Sequence, residues 1–196
     1  MAKKSSTLGN MLLSLIVIAV VAGAVLGFIY SLTKEPIAQV EKAKNEAAIK
    51  AVLDKEGLEI SHIEEYNIND LTYNVAYNDA NEIVGAAVKT YSGKGFSGKI
   101  ELMVGLLPNG TINKISVLTQ SETPGLGANM VNEKFKGQFN DKNPADFRLK
   151  VKQDNGDVDA ITAATISSRA FSEAVQTAYD GFMKNKEQFN RKGDSK

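Results

Sequence analysis

Leu71-Thr72-Tyr73-Asn74-Val75-Ala76-Tyr77 alternates its side chains with a period of two, the spacing that lines one face of a strand. Asn78-Asp79-Ala80-Asn81 follows as a turn, and 82–91 repeats the strand pattern. A third strand is expected over 99–107, a tight turn at Pro108-Asn109-Gly110 and a fourth strand over 111–118. Short connections of this kind make neighbouring strands antiparallel. The period predicts a meander.

On the C-terminal side, 128–136 reads as a short helix and 147–151 as a further strand. A long helix is expected from Ile166 to about Phe189, with Phe171, Val175, Ala178, Phe182 and Met183 on its apolar face. On the N-terminal side, Ile37, Val40, Ala43, Ala47, Ala48, Ala51 and Val52 recur at helical spacing. Pro36 suits the start of that helix and Gly57 its end. Further back, residues 5–33 carry no charge, and 11–30 within them form a nearly continuous apolar run. About 20 apolar residues span a bilayer, and a signal-peptide core is usually only about 7–15 long. An uncleaved anchor is expected. A cleavable signal is the competing reading, since Ala22-Gly23-Ala24 resembles a cleavage site. Lys3 and Lys4 precede the run, whereas Lys34 and Glu35 cancel after it. The positive-inside rule places the N-terminus in the cytoplasm and the remainder outside. The fold class is therefore α+β: an antiparallel sheet with flanking helices, preceded by one transmembrane helix.

Composition removes several kinds of chemistry. Lys+Arg and Asp+Glu both number 23, which gives no basic surplus for nucleic acid. There is no Cys, so thiolate metal sites, disulfides and a Cys nucleophile are excluded. His62 is the one histidine, which removes support for triads and zinc sites; it is expected at the surface. Gly93-Lys94-Gly95-Phe96-Ser97-Gly98 spells G-x-G-x-x-G, but a dinucleotide fingerprint opens a helix and here a strand pattern follows. The same stretch nearly matches a phosphate loop, except that Ile100 stands where a hydroxyl is needed. It reads as a hairpin connection, or as a loop that lets backbone approach a flat ligand.

Two stretches remain. Gln120-Ser121-Glu122-Thr123-Pro124-Gly125-Leu126-Gly127 combines a rigid Pro, two glycines, an apolar side chain and an acid. It is either loop punctuation or a surface for a ring. Asp159-Ala160-Ile161-Thr162-Ala163-Ala164-Thr165-Ile166-Ser167-Ser168 places small residues and hydroxyls at a helix start. That is either ordinary capping or an anion site at the positive end of a helix dipole.

Together with the N-terminal span and Gly95-Phe96-Ser97-Gly98-Lys99-Ile100, these stretches resemble the G subunit of the Rnf ion-translocating electron-transport complex. They are also similar to the C subunit of the sodium-pumping NADH:quinone reductase, which shares the FMN-binding domain; the short length favours the Rnf subunit. The resemblance implies FMN joined through its phosphate to the last Thr of an (S/T)-G-A-T motif, here Thr165. The usual Gly is Ala163, an added methyl expected to be tolerated. It implies Thr162, Ala163, Ala164, Ser167 and Ser168 around the phosphate, with Glu122, Thr123, Gly125, Leu126 and Gly127 toward the isoalloxazine. Thr165 would be an anchor, with no catalytic residue and no metal. The implied partners are the other subunits of the complex, a flavin transferase using FAD, and the membrane. The organisation that follows is a cytoplasmic N-terminus (1–10), a transmembrane helix (11–32), a helical connector (33–70), an FMN-binding domain on the periplasmic side (71–189) and a polar tail (190–196). An anchored flavin-free scaffold and a self-contained flavoenzyme are the rival readings.

Overall fold

The computed structural model describes residues 8–193; the expected cytoplasmic N-terminus and polar tail lie partly outside them. The chain forms one compact unit through Ala43 and a second from Lys44 onward.

Helix α1 spans Leu8–Leu53 with Pro36 inside it. The expected restart at Pro36 is therefore corrected: one helix runs through. An interior proline removes one backbone hydrogen bond, at about 3 kcal/mol. The Ala-, Lys- and Glu-rich stretch after it is a strong helix former that carries the helix past. From Leu8 to Val40 the large apolar side chains of α1 are exposed all round. A helix apolar on every side suits lipid, and α1 is long and apolar enough to cross a membrane.

The second unit is built on a five-stranded antiparallel sheet in sequence order: β1 (His62–Ile68), β2 (Leu71–Tyr77), β3 (Ile83–Gly95), β4 (Gly98–Leu106) and β5 (Ile112–Thr119). The meander β2–β5 is as the alternation predicts. Strand β1 was not anticipated, because it lies inside the stretch read as a helical connector. As an edge strand it buries only Tyr66 among charged and polar neighbours, so its period is faint.

Each face of the sheet has a helical cover. Tyr73, Val75 and Tyr77 of β2, Val88 of β3 and Ile100, Leu102 and Val104 of β4 pack with Phe171, Val175, Ala178 and Phe182 of helix α3 (Thr165–Gly193). Each fully buried Val, Leu, Ile or Phe side chain among them contributes roughly 1.5–3 kcal/mol. The intervening residues Ala76, Ala87 and Met103 meet Ala48, Val52 and Leu53 from the last turns of α1. Asn113 Nδ2–H donates to the Val52 carbonyl at 2.7 Å, and the Lys44 ammonium donates to the Leu118 carbonyl. The first of these bonds satisfies a carbonyl at that helix end.

Four further expectations change. Met183 is 38% exposed, outside the apolar face of α3. Helix α3 continues to Gly193 rather than ending near Phe189. The stretch 147–151 is not a strand. Its polar groups bond locally, Arg148 N–H to the Asp157 carboxylate and Lys150 N–H to the Arg148 carbonyl, and only Val151 makes an isolated bridge, with Val158. The single helix expected over 128–136 divides into a 3₁₀ turn (Gly127–Val131) and α2 (Glu133–Lys136), because Asn132 between them is extended at φ −78° and ψ 143°. His62 is half-buried on the edge strand, its ring stacked on Tyr77 at 5.1 Å.

Candidate functional site

Helix α3 begins without an ordinary cap. The Ala164 carbonyl accepts the first intrahelical bond, from Ser168 N–H at 3.0 Å, so Ala164 occupies the cap position. Alanine has no side-chain acceptor there. The N–H groups of Thr165, Ile166 and Ser167 thus have no partner one turn back, at the positive end of a long dipole. Among the described residues no side chain caps this helix start.

The two serines that follow hold the loop. Ser168 Oγ accepts the Ile161 N–H at 2.9 Å and donates to the Ala164 carbonyl at 2.9 Å. It folds the segment before the helix back onto the first turn. Ser167 Oγ donates to Glu122 Oε2 at 2.7 Å. Both hydroxyls are buried and engaged within the protein.

Ala163 has φ +58°, in the left-handed region. The extra methyl noted from the sequence therefore sits on a backbone that favours glycine, at a cost of roughly 1 kcal/mol. The substitution is accommodated, but not without strain.

Glu122 is 5% exposed and its carboxylate links three elements. Oε1 accepts the Ser97 N–H at 3.0 Å from the β3–β4 hairpin tip, and Oε2 accepts from Ser167 on α3. The loop itself is braced by Glu122 N–H bonding Gln120 Oε1 and by Leu126 and Ala128 N–H bonding the Thr123 carbonyl. Two glycines make room for the acid. A Cβ on Gly95 would lie 2.7 Å from Oε1, and one on Gly127 would lie 2.6 Å from Oε2. A Cβ would also lie 2.3 Å from the Gly98 carbonyl at Gly95 and 2.5 Å from the Ser167 hydroxyl at Gly127, so the acid and its neighbours together leave no room for a side chain.

The result is a cleft of about 360 Å³ lined by Phe96, Glu122, Thr123, Leu126, Gly127 and residues 163–167. Most of the residues singled out from the sequence meet here: Thr165, Ala163, Ala164, Ser167, Glu122, Thr123, Leu126 and Gly127. Gly125 and Thr162 instead line an adjoining polar cavity of about 280 Å³ with Asn129, Asn132 and Gln138. Ser168 faces inward. Two lining residues were missed, Phe96 and Ile166, which are 70% and 49% exposed. A phenylalanine at a two-residue hairpin turn, where Asn and Gly are usual, was the available signal for the first.

The sheet and α3 are pinned together beside the cleft. Thr90 Oγ1 donates to the Ala174 carbonyl at 3.0 Å. Ser92 Oγ and Lys94 Nζ both donate to Glu173, at 2.9 and 2.5 Å. The hydrogen bond from Lys94 holds the Glu173 carboxyl below its usual range against the opposing effect of burial. Asp154 is likewise held low by the Arg169 guanidinium, which it meets at 2.7 Å.

The fit of the cleft to a phosphate-linked flavin is good on this geometry. A half-buried threonine hydroxyl stands at an uncapped helix start, and exposed apolar side chains flank it. Known proteins share this part of the chain. A family profile for the FMN-binding domain matches residues 95–180. The G subunit of the ion-translocating oxidoreductase complex of Methanosarcina acetivorans is 32% identical over 181 residues, covering 90% of this chain and 95% of that one. The G subunit of the proton-translocating ferredoxin:NAD(+) oxidoreductase complex of Clostridium ljungdahlii is 40% identical over 88 residues, covering 44% and 48%. The chain thus spans nearly all of the first and about half of the second. A crystal structure of the C subunit of the Na(+)-translocating NADH-quinone reductase from Parabacteroides distasonis aligns with a TM-score of 0.48 at 23% identity, over 61% of this chain and 62% of that one.

Proposed function

The chain belongs to the family of G subunits of ion-translocating oxidoreductase complexes, and from that premise we propose that it is a membrane-anchored flavoprotein subunit carrying FMN on Thr165. The observation that carries this reading is the threonine hydroxyl at the uncapped start of α3, inside a cleft with apolar walls. The flavin supplies the capacity to accept and release electrons, which no side chain of this chain provides.

The residues divide the work as follows. Thr165 Oγ forms the phosphoester and is an anchor. The free N–H groups of residues 165–167 and the helix dipole meet the remaining phosphate charge. Ser167 and Ser168 keep those donors in place through Glu122 and Ile161. Leu126, Ile166 and Phe96 offer apolar surface to the ring, and Thr123 and Thr162 add hydroxyls at the rim. A covalent link retains the cofactor outside the cytoplasm, the side on which the positive-inside rule places this unit. A flavin transferase that uses FAD would install it. In this reading the subunit relays electrons between other subunits of an ion-translocating ferredoxin:NAD oxidoreductase complex and has no substrate of its own.

Expression of the full chain with a flavin transferase tests the attachment. Denaturing electrophoresis under ultraviolet light should show a fluorescent band that Thr165→Ala abolishes. A band that survives Thr165→Ala, or none in the unaltered chain, contradicts the assignment.

A further inference from the structure

Phe96 is out of place by the ordinary rules of burial. Phe135, Phe139, Phe171, Phe182 and Phe189 are all buried, while Phe96 is 70% exposed, more than any other large apolar residue in the unit that begins at Lys44. Such exposure at a loose hairpin tip would be unremarked, but this tip is fixed. Gly95 pairs with Gly98 across the turn, and the backbone N–H of Ser97 between them bonds the buried Glu122 carboxylate at 3.0 Å.

Glu122 does the same for the other two exposed apolar residues of the cleft. Its Oε2 bonds Ser167, the neighbour of Ile166. Its side chain also packs within 3 Å of the position a Cβ would take on Gly127, the neighbour of Leu126. Phe96, Leu126 and Ile166 come from a hairpin, a loop and a helix, yet each is adjacent to a residue seated on one carboxylate. All three line the cavity that contains Thr165. An apolar surface held open from three directions at once is preorganised for a flat apolar face rather than left over from folding.

We propose that Phe96 is the side chain that covers a face of the flavin ring, and that Glu122 is the positioning residue that seats it. This deepens the reading of Thr165 as the FMN anchor and rests on it. Phe96 limits solvent access to the ring; Glu122 acts only through the backbone and side chains it holds.

The chain contains no tryptophan, so Phe96→Trp introduces a single indole. Indole in contact with a flavin quenches its emission, and phenylalanine does not. The flavinylated full chain with Phe96→Trp should show at least fivefold less flavin fluorescence than the unaltered protein at equal flavin content. Its indole emission should be restored when Thr165→Ala removes the flavin. As a second measurement, Phe96→Ala should raise iodide quenching of the flavin about threefold, and Phe96→Tyr should leave it near the original. Equal flavin emission in the Trp variant and the unaltered protein overturns the role of Phe96 while leaving the attachment intact. Absence of covalent flavin in the unaltered chain overturns the anchor, and this proposal with it.

Discussion

The two ends of helix α3 are made from similar side chains and put to opposite uses. At the C-terminal end, Tyr66, Tyr73 and Tyr77 from the sheet enclose Phe182 and Phe189, all of them buried. Phe189 stands 5.0 Å from Tyr66 and 5.3 Å from Tyr73, ring centre to ring centre. The hydroxyls are also engaged: Tyr66 donates to Glu64 at 2.6 Å, and Tyr77 donates to the Phe189 carbonyl at 3.1 Å. At the N-terminal end, Phe96, Leu126 and Ile166 stay exposed around a buried acid. One end converts aromatic surface into stability. The other leaves apolar surface unburied and uses hydrogen bonds to hold it still. That is the expected division when a fold must present a site without loosening.

The largest effect should come from the packed end. Phe189→Ala removes a fully buried ring and should lower stability by about 3–5 kcal/mol in urea titration. The fraction of folded protein that takes up flavin should not change. A loss of flavin at full folding would break the division between the ends.

Glu122→Ala should cost less stability, roughly 2 kcal/mol, since it strands the Ser97 N–H and the Ser167 hydroxyl. It should reduce the covalent flavin band well beyond its effect on folding. Stability and flavin falling in proportion would make Glu122 merely structural.

Ala163→Gly relaxes the left-handed residue beside the cap and should stabilise the chain by about 1 kcal/mol, read as a higher urea midpoint with an unchanged slope. An unchanged or lower midpoint would mean that Ala163 is not strained.

The two ends should also fail at opposite extremes of pH, and this is the smallest effect. Glu173 and Asp154, beside the cleft, are held below their ordinary values of 4.5 and 3.8, chiefly by hydrogen bonds from Lys94 and Arg169. A lowered folded pKa adds stability that is present above the ordinary value and lost as pH falls through the folded one. Acid should therefore loosen the Thr165 end first. Tyr66, Tyr73 and Tyr77 are pushed above their ordinary value of 10.0, chiefly by burial. Their stabilisation is complete below pH 10.0 and declines as pH rises through the raised values. Alkali should loosen the packed end first. Hydrogen exchange at about pH 3 and about pH 11 reads both. The reverse order of opening would contradict the assigned pKa directions.

The difference between the ends also explains what the sequence could show. Strands β2–β5 and the core face of α3 were legible because Tyr73, Val75, Phe171 and Phe182 repeat at the period of their elements. Strand β1 was hidden because an edge strand need not alternate, and 147–151 misled because a stretch that alternates apolar and charged residues can still satisfy its backbone locally. At the cleft, the motifs singled out Thr165 and its neighbours, most of which the structure brings together. The convergence of Ser97 and Ser167 on Glu122 depends on contacts 25 and 45 residues apart, which no local spacing encodes. The strain at Ala163 was equally invisible, since it is a backbone angle and not a residue type.

One hydroxyl among several is proposed to carry the cofactor. Trypsin should release residues 153–169 as one peptide containing Thr162, Thr165, Ser167 and Ser168. Fragmentation mass spectrometry of that peptide from the flavinylated chain reads the modified position directly. The expected adduct is FMN less one water, on Thr165 alone. An adduct on Thr162, Ser167 or Ser168, or an unmodified peptide beside flavin attached elsewhere, would contradict it.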